Sequence, residues 1–205
     1  MTTSDTTNTT ASVPAPAKEL TQSERLIALL SSKFGPQLIA PRVELGDAVV
    51  GVERGGLLSL FKSLRDDVEL QFNMLVDVTV VDWMDQRSDR FEVVYHLLSL
   101  SSLNRLRVKC TVSESDPSVD SVVSLWASAN FMEREAWDMY GVLFKGHPDL
   151  RRLLMYDEFK GHPLRKDYPV QGKQPRVPLR MPESRNTAVD MVRPALVTIN
   201  KRASV

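Results

Sequence analysis

The stretch FEVVYHLLSLSSLNRLRVKC, residues 91–110, carries the pattern on which the fold turns. Phe91, Val93, Tyr95 and Leu97 alternate with Glu92 and His96. After the polar break at 101–104, Leu106, Val108, Cys110 and Val112 alternate with Arg105, Arg107, Lys109 and Thr111. A period of two marks strands with one covered and one wetter face. Upstream, Val76, Val78 and Val80 alternate with Asp77 and Thr79, and the polar residues 84–90 lead into the quoted stretch. Three consecutive strands in a meander follow.

Working toward the N-terminus, residues 48–52 read as a further strand and 57–64 as a helix. Thr21 with Glu24 three residues on fits a capping box, and Leu26, Ile27, Leu29 and Leu30 share one helix face. The fold class expected is α+β in two layers: a mixed, largely antiparallel sheet with helices on one face, followed by an irregular, extended C-terminal segment. After the breaker at 115–117, residues 119–129 read as a helix. Asn130 with Glu133 reads as the cap of another, running to Tyr140 and ended by Gly141. The organisation expected is a disordered polar tail at 1–20, an α+β domain at 21–140, a turn-rich docking segment at 141–170 and an extended basic tail at 171–205.

Composition narrows the function. The 205 residues are 42% hydrophobic and 25% charged, as in an ordinary globular domain with tails. The lone Cys110 forms no internal disulfide and supplies one thiolate where an iron–sulfur cluster takes about four. A reducing compartment is expected. No apolar run reaches the ~20 residues that span a bilayer, and the first 20 residues lack the apolar segment of a secretory signal. The zero net charge conceals a division: residues 171–205 hold seven basic groups against two acidic ones, leaving 19 against 24 elsewhere. Neither GxGxxG, a phosphate-binding GxxxxGK[ST] nor a GxSxG elbow occurs. The basic tail has no aromatic residue for stacking bases, which argues against nucleic-acid binding.

The richest chemistry lies in EREAWDMYGVLFKGHPDLRRLLMYDEFKGHPLRKDYPV, residues 133–170, where FKGHP occurs twice. One reading is a metal or acid–base centre using His147 and His162 with Glu135 and Asp138. Against it, no HxH, HExxH or CxxC is present, and the histidines sit fifteen residues apart in separate Gly–His–Pro turns. A second reading is a solvated charged face, in which Arg134 pairs with Asp138 along the helix. Arg151, Arg152, Arg165 and Lys166 would then pair with Glu133, Glu135 or Asp167. A third is a docking surface, favoured because Trp137, Tyr140, Phe144, Tyr156, Phe159 and Tyr168 are threaded among the arginines. Trp137 also suits a core position.

This stretch, together with residues 91–110, resembles the signature of the C-subunit family of the respiratory NADH:quinone oxidoreductase, complex I. The match in order and spacing runs through Glu133, Arg134, Glu135, Asp138, Gly141, His147, Pro148, Arg152, Gly161, His162, Pro163, Arg165, Lys166 and Asp167. It covers about 70–170 well. Residues 153–159, LLMYDEF, depart from the commoner form. The resemblance implies a scaffold protein of the hydrophilic arm with no catalytic residue, cofactor or metal of its own. FMN and iron–sulfur clusters would sit in partner subunits. The complex passes electrons from NADH to quinone, coupled to proton translocation. The partners implied are the quinone-site D-subunit and the subunit holding the terminal iron–sulfur cluster. Membrane association would be indirect, on the cytoplasmic face of the bacterial inner membrane. The docking residues implied are Glu133, Arg134, Glu135, Asp138, Tyr140, His147, Arg152, His162, Arg165, Lys166, Asp167 and Tyr168. Membrane-bound hydrogenases and reductases with other donors share parts of the motif and form the alternative.

Overall fold

The computed structural model describes residues 20–172 and 174. These form α1 (Gln22–Phe34), β1 (Leu38–Glu44), β2 (Asp47–Val52), α2 (Leu57–Asp66), β3 (Met74–Asp82), β4 (Phe91–Leu98), β5 (Arg105–Val112), β6 (Ser118–Asp120), α3 (Ala129–Tyr140) and β7 (Leu143–Lys145). The main sheet has the order β1-β2-β5-β4-β3. Only the β2–β5 pairing is parallel; β3, β4 and β5 make the expected meander. β6 and β7 form a separate parallel pair.

The alternation seen in the sequence decides which way each strand faces. Val50 and Val52, Val78 and Val80, Val93 and Tyr95, and Val108 and Cys110 point into one core shared with Leu26 and Leu30 of α1, Leu57, Phe61 and Leu64 of α2, and Ala136 of α3. Burying each large apolar side chain stabilises by about 1.5–3 kcal/mol. Phe61 meets Tyr95 edge-on at 4.9 Å and Trp126 at 5.6 Å. The capping box of α1 is formed: Glu24 N–H donates to Thr21 Oγ1, and Thr21 N–H to Glu24 Oε2 at 2.7 Å.

The opposite face of the sheet is closed by its own charged side chains. Arg87 stacks over Trp83 at 3.9 Å, and both donate to the buried Glu92. Arg107 reaches Asp47 and His96, while Lys109 reaches Glu44. Val49, in register with Arg107, and Val94, in register with Lys109, are buried among these long-stemmed residues.

Three expectations are corrected. Residues 119–129 are not a helix. Up to Ser128 they are the end of β6 followed by turns, and Ala129 opens α3, because Val119 pairs with Phe144 of β7, while Ser121 and Val122 are held by the Glu133 carboxylate. Asn130 does not cap α3: the helix already includes Ala129, and Glu133 turns outward to residues 121–122 and not back to the helix start. β1 was not expected. Its residues are exposed or half-buried throughout, and a bulge at Ala40 and Pro41, with Ala40 at φ 45°, breaks its register against β2.

The described chain forms two units, one running to Asp157 and resuming at 161–170, the other comprising Glu158–Lys160 with the residues from Gln171. Within the second, Lys160 N–H donates to Gln174 Oε1 at 3.1 Å and Gln174 Nε2 donates back to Lys160 O at 3.0 Å. The expected N-terminal tail before Leu20 and nearly all of the expected basic tail lie outside the described residues.

Candidate subunit-docking site

Helix α3 organises the conspicuous stretch, and its polar residues turn out to bind the chain to itself. Glu133 is fully buried. Its Oε2 accepts from Ser121 Oγ at 2.6 Å and its Oε1 from Val122 N–H at 2.7 Å, and no ion pair joins it among the described residues. Burial pushes its carboxyl up to about 7, against which the two hydrogen bonds pull only partway. Asp138, also fully buried, accepts three successive backbone N–H groups at Oδ2, from Leu153, Leu154 and Met155 at 2.9–3.0 Å. Arg152 donates to its Oδ1 at 2.6 Å. Burial raises the Asp138 carboxyl, but these four donors outweigh it and hold the group below its ordinary value.

The expected Arg134–Asp138 pair is therefore not made. Arg134 donates instead to the carbonyls of Arg151 and Arg152, both at 3.1 Å, so the helix grips the same turn from two sides. The other expected pairings are replaced as well: Arg151 pairs with Asp149, Arg152 with Asp138 and Asp167 with Arg90. Backbone carbonyls take Arg134, while the remaining charges find side-chain partners other than those expected.

The two Gly–His–Pro turns fasten α3 at different places along its length. His147 Nδ1 accepts from Asp149 N–H, which leaves Nε2–H to donate to Asn130 O at 3.1 Å. His162 donates from Nδ1 to Asp138 O at 3.0 Å. Burial, with Arg165 and Arg152 alongside, lowers the His162 imidazole below its usual range. Helices end with four carbonyls lacking partners. Here each finds one: Trp137 O takes Gly141 N–H, Asp138 O takes His162, Met139 O takes Leu164 N–H, and Tyr140 O takes Arg165 Nε. Gly141, at φ 76°, makes this close return possible, since a Cβ there would lie 2.6 Å from the His162 ring.

Asp82 and Arg90, which sequence reasoning passed over, complete the arrangement. They bracket the β3–β4 turn, and Arg90 binds Asp82 through two bonds of 3.0 Å. The same guanidinium reaches Glu114 and Asp167, both at 2.5 Å, while Lys166 N–H donates to Asp82 at 2.9 Å. Arg90 and Arg165 flank the Phe91 ring at 5.0 and 5.1 Å. An acid and an arginine eight residues apart around a polar turn was the available signal.

The candidate residues therefore fall into two groups. Glu133, Arg134 and Asp138 are buried, and Tyr140, His147, Arg152, His162, Arg165 and Tyr168 are half-buried. Glu135, Lys166 and Asp167 are exposed, as are the apolar Phe131, Leu143, Leu154, Tyr156 and Leu164 on or near α3. Both His147 ring nitrogens are occupied by backbone partners. Among the described residues no group of three or more His, Cys, Asp or Glu side chains is placed to hold a metal.

A family model described as the respiratory-chain NADH dehydrogenase, 30 Kd subunit, matches residues 50–174. The NADH-quinone oxidoreductase C-subunit of Citrifermentans bemidjiense is 46% identical over 153 residues, covering 75% of this chain and 93% of that protein. The trypsin-resistant fragment (1–134) of Nqo5 is 34% identical with a TM-score of 0.55, over 62% of this chain and 99% of the fragment. One chain of the membrane-bound sulfane sulfur reductase, an archaeal respiratory membrane complex, has a TM-score of 0.63 at 20% identity, over 73% of this chain and 87% of that one, and shares the fold. The signature on α3 and its returning turns, the matched 50–174 region and the 46% identity agree: the chain belongs to the family of the 30 Kd subunit, or C-subunit, of NADH-quinone oxidoreductase.

Proposed function

We propose that this chain serves as a scaffold in the peripheral arm of NADH:quinone oxidoreductase, making no bond itself and holding neighbouring subunits in register. The observation that carries the reading is the division of labour around α3. Glu133, Arg134 and Asp138 are consumed in fastening the chain, while Phe131, Leu143, Leu154 and Leu164 are exposed. Exposed apolar side chains set among arginines and aromatics suit an interface core. The neighbours proposed are the quinone-site protein and the one with the terminal iron–sulfur cluster, with FMN and the clusters carried by partners. Cys110, buried in mid-sheet with its thiol pushed up to about 11, is an inert core residue.

No helix among the described residues is long and apolar enough to cross a membrane. Attachment to the cytoplasmic face of the inner membrane would run through the complex. Electron transfer between fixed cofactors depends on their separations, so a rigid spacer contributes to activity without chemistry. The test is mass spectrometry of what co-purifies with a tagged copy from gently solubilised native membranes, with NADH:quinone activity measured on the same fraction. Flavin and iron–sulfur subunits recovered with activity would support the reading. Hydrogenase subunits would overturn the donor, and the chain recovered alone would overturn the scaffold.

A further inference from the structure

Two stretches that follow α3, 151–155 and 162–168, are fastened to the domain at carboxylates of contrasting exposure. The first is held at Asp138, whose side chain is wholly buried and whose donors are three backbone N–H groups and Arg152. The second is held partly at Arg90. That guanidinium is almost buried, and its partner Asp82 more so, but Asp167 is 47% exposed. Lys166 N–H on Asp82 and the contacts of His162, Leu164 and Arg165 with the end of α3 complete the second fastening.

Salt acts differently on the two. At about 1 M ionic strength the screening length falls to roughly 3 Å, so an ion pair with one partner in solvent weakens. Neutral backbone donors on a buried carboxylate are screened much less.

We propose that residues 162–168 form a releasable strap, its closure strengthened by the Arg90–Asp167 ion pair beyond what its neutral hydrogen bonds to Asp82 and the end of α3 supply, whereas 151–155 stay fastened at Asp138 when the strap opens. Release uncovers the carbonyls of Asp138, Met139 and Tyr140 at the end of α3 to water. It also leaves Leu164 and Lys166 without fixed positions. The consequence for assembly rests on the docking reading above; the release itself does not.

Hydrogen–deuterium exchange on the full chain tests this, comparing low salt with about 1 M salt, and the parent with Asp167→Asn at low salt. Asp167 is at the surface, so the variant retains the core. The expected result is exchange of 162–168 faster by about fivefold under both perturbations, the effect of a pair at the upper end of the exposed range. Peptides covering 151–155 and β4 keep their rates. Unchanged exchange of 162–168 under either perturbation, or equal acceleration of 151–155, would overturn the strap. Co-purification of Asp167→Asn with partner subunits separates the two readings. Normal recovery with an opened strap would count against 162–168 as a docking element and leave the strap standing. Lost recovery with unchanged exchange would do the reverse.

Discussion

Arg152 Nη1 lies 2.6 Å from Asp138 Oδ1, and the carboxylate it meets has no exposure to solvent. The other oxygen of that carboxylate gathers three consecutive backbone N–H groups, so a single side chain of α3 fixes the course of residues 152–155. Such a group is costly to alter.

Replacing Asp138 by Ala leaves three backbone donors and Arg152 without their acceptor. The expected loss is about 3–5 kcal/mol of folding free energy, as for other broken buried charge networks, read from urea denaturation. Asp138→Asn retains one acceptor oxygen but turns an amide donor toward other donors, and an intermediate loss is expected. For the parent protein the Asp138 contribution is complete above the unfolded carboxylate value. It disappears as the pH falls through the lower folded value.

Glu133 has the opposite sign. Its folded value of about 7 exceeds the ordinary 4.5, so the folded chain holds this proton more tightly than the unfolded one. Its contribution is greatest below the unfolded value and declines as pH rises through the folded one. Glu133→Gln is expected to flatten this slope and to stabilise the chain by about 1–2 kcal/mol near pH 8, measured by denaturation across pH. A slope identical to the parent's would refute the assignment.

Gly141→Ala places a methyl group where the His162 ring sits and forces a side chain into φ 76°. A loss of about 1–3 kcal/mol is expected, with faster trypsin cleavage at Arg165 and Lys166 as the returning turn loosens. Stability equal to the parent's would show that the turn has room to move.

Lys166→Ala and Phe131→Asp separate folding from docking. The Lys166 side chain is exposed and, among the described residues, its backbone N–H makes its internal bond, and Phe131 is 62% exposed with one face toward Arg134. Both variants are expected to keep their stability within about 0.5 kcal/mol while recovering fewer partner subunits in a co-purification assay. Arg165→Ala, which removes the donor to Tyr140 O, is expected to lower stability as well. Parent-level recovery with Lys166→Ala and Phe131→Asp would remove both from the docking face.

The meander was legible because β3, β4 and β5 bury one face and wet the other, which writes a period of two into the sequence. β1 left no such mark, since none of its residues is buried. Residues 119–129 misled because Val119, Val122, Val123 and Trp126 recur at helical spacing, although the first serves a strand and the others anchor turns. The residue types of the candidate site were equally visible, but their partners were not. Asp167 meets Arg90 across 77 positions, and Lys166 meets Asp82 across 84. Glu133 and Asp138 draw most of their donors from backbone N–H groups, which no sequence pattern distinguishes.

The bulge at Ala40 and Pro41 has a bearing on the protein's life before assembly. A regular outer strand would offer its unused N–H and C=O groups to any extended chain nearby, and identical copies awaiting their partners would be the commonest such chains. Pro41 lacks a donor, the kink at Ala40 interrupts the ladder, and Arg42 and Glu44 form an ion pair along the strand. This edge is therefore a poor template for pairing with a second extended chain.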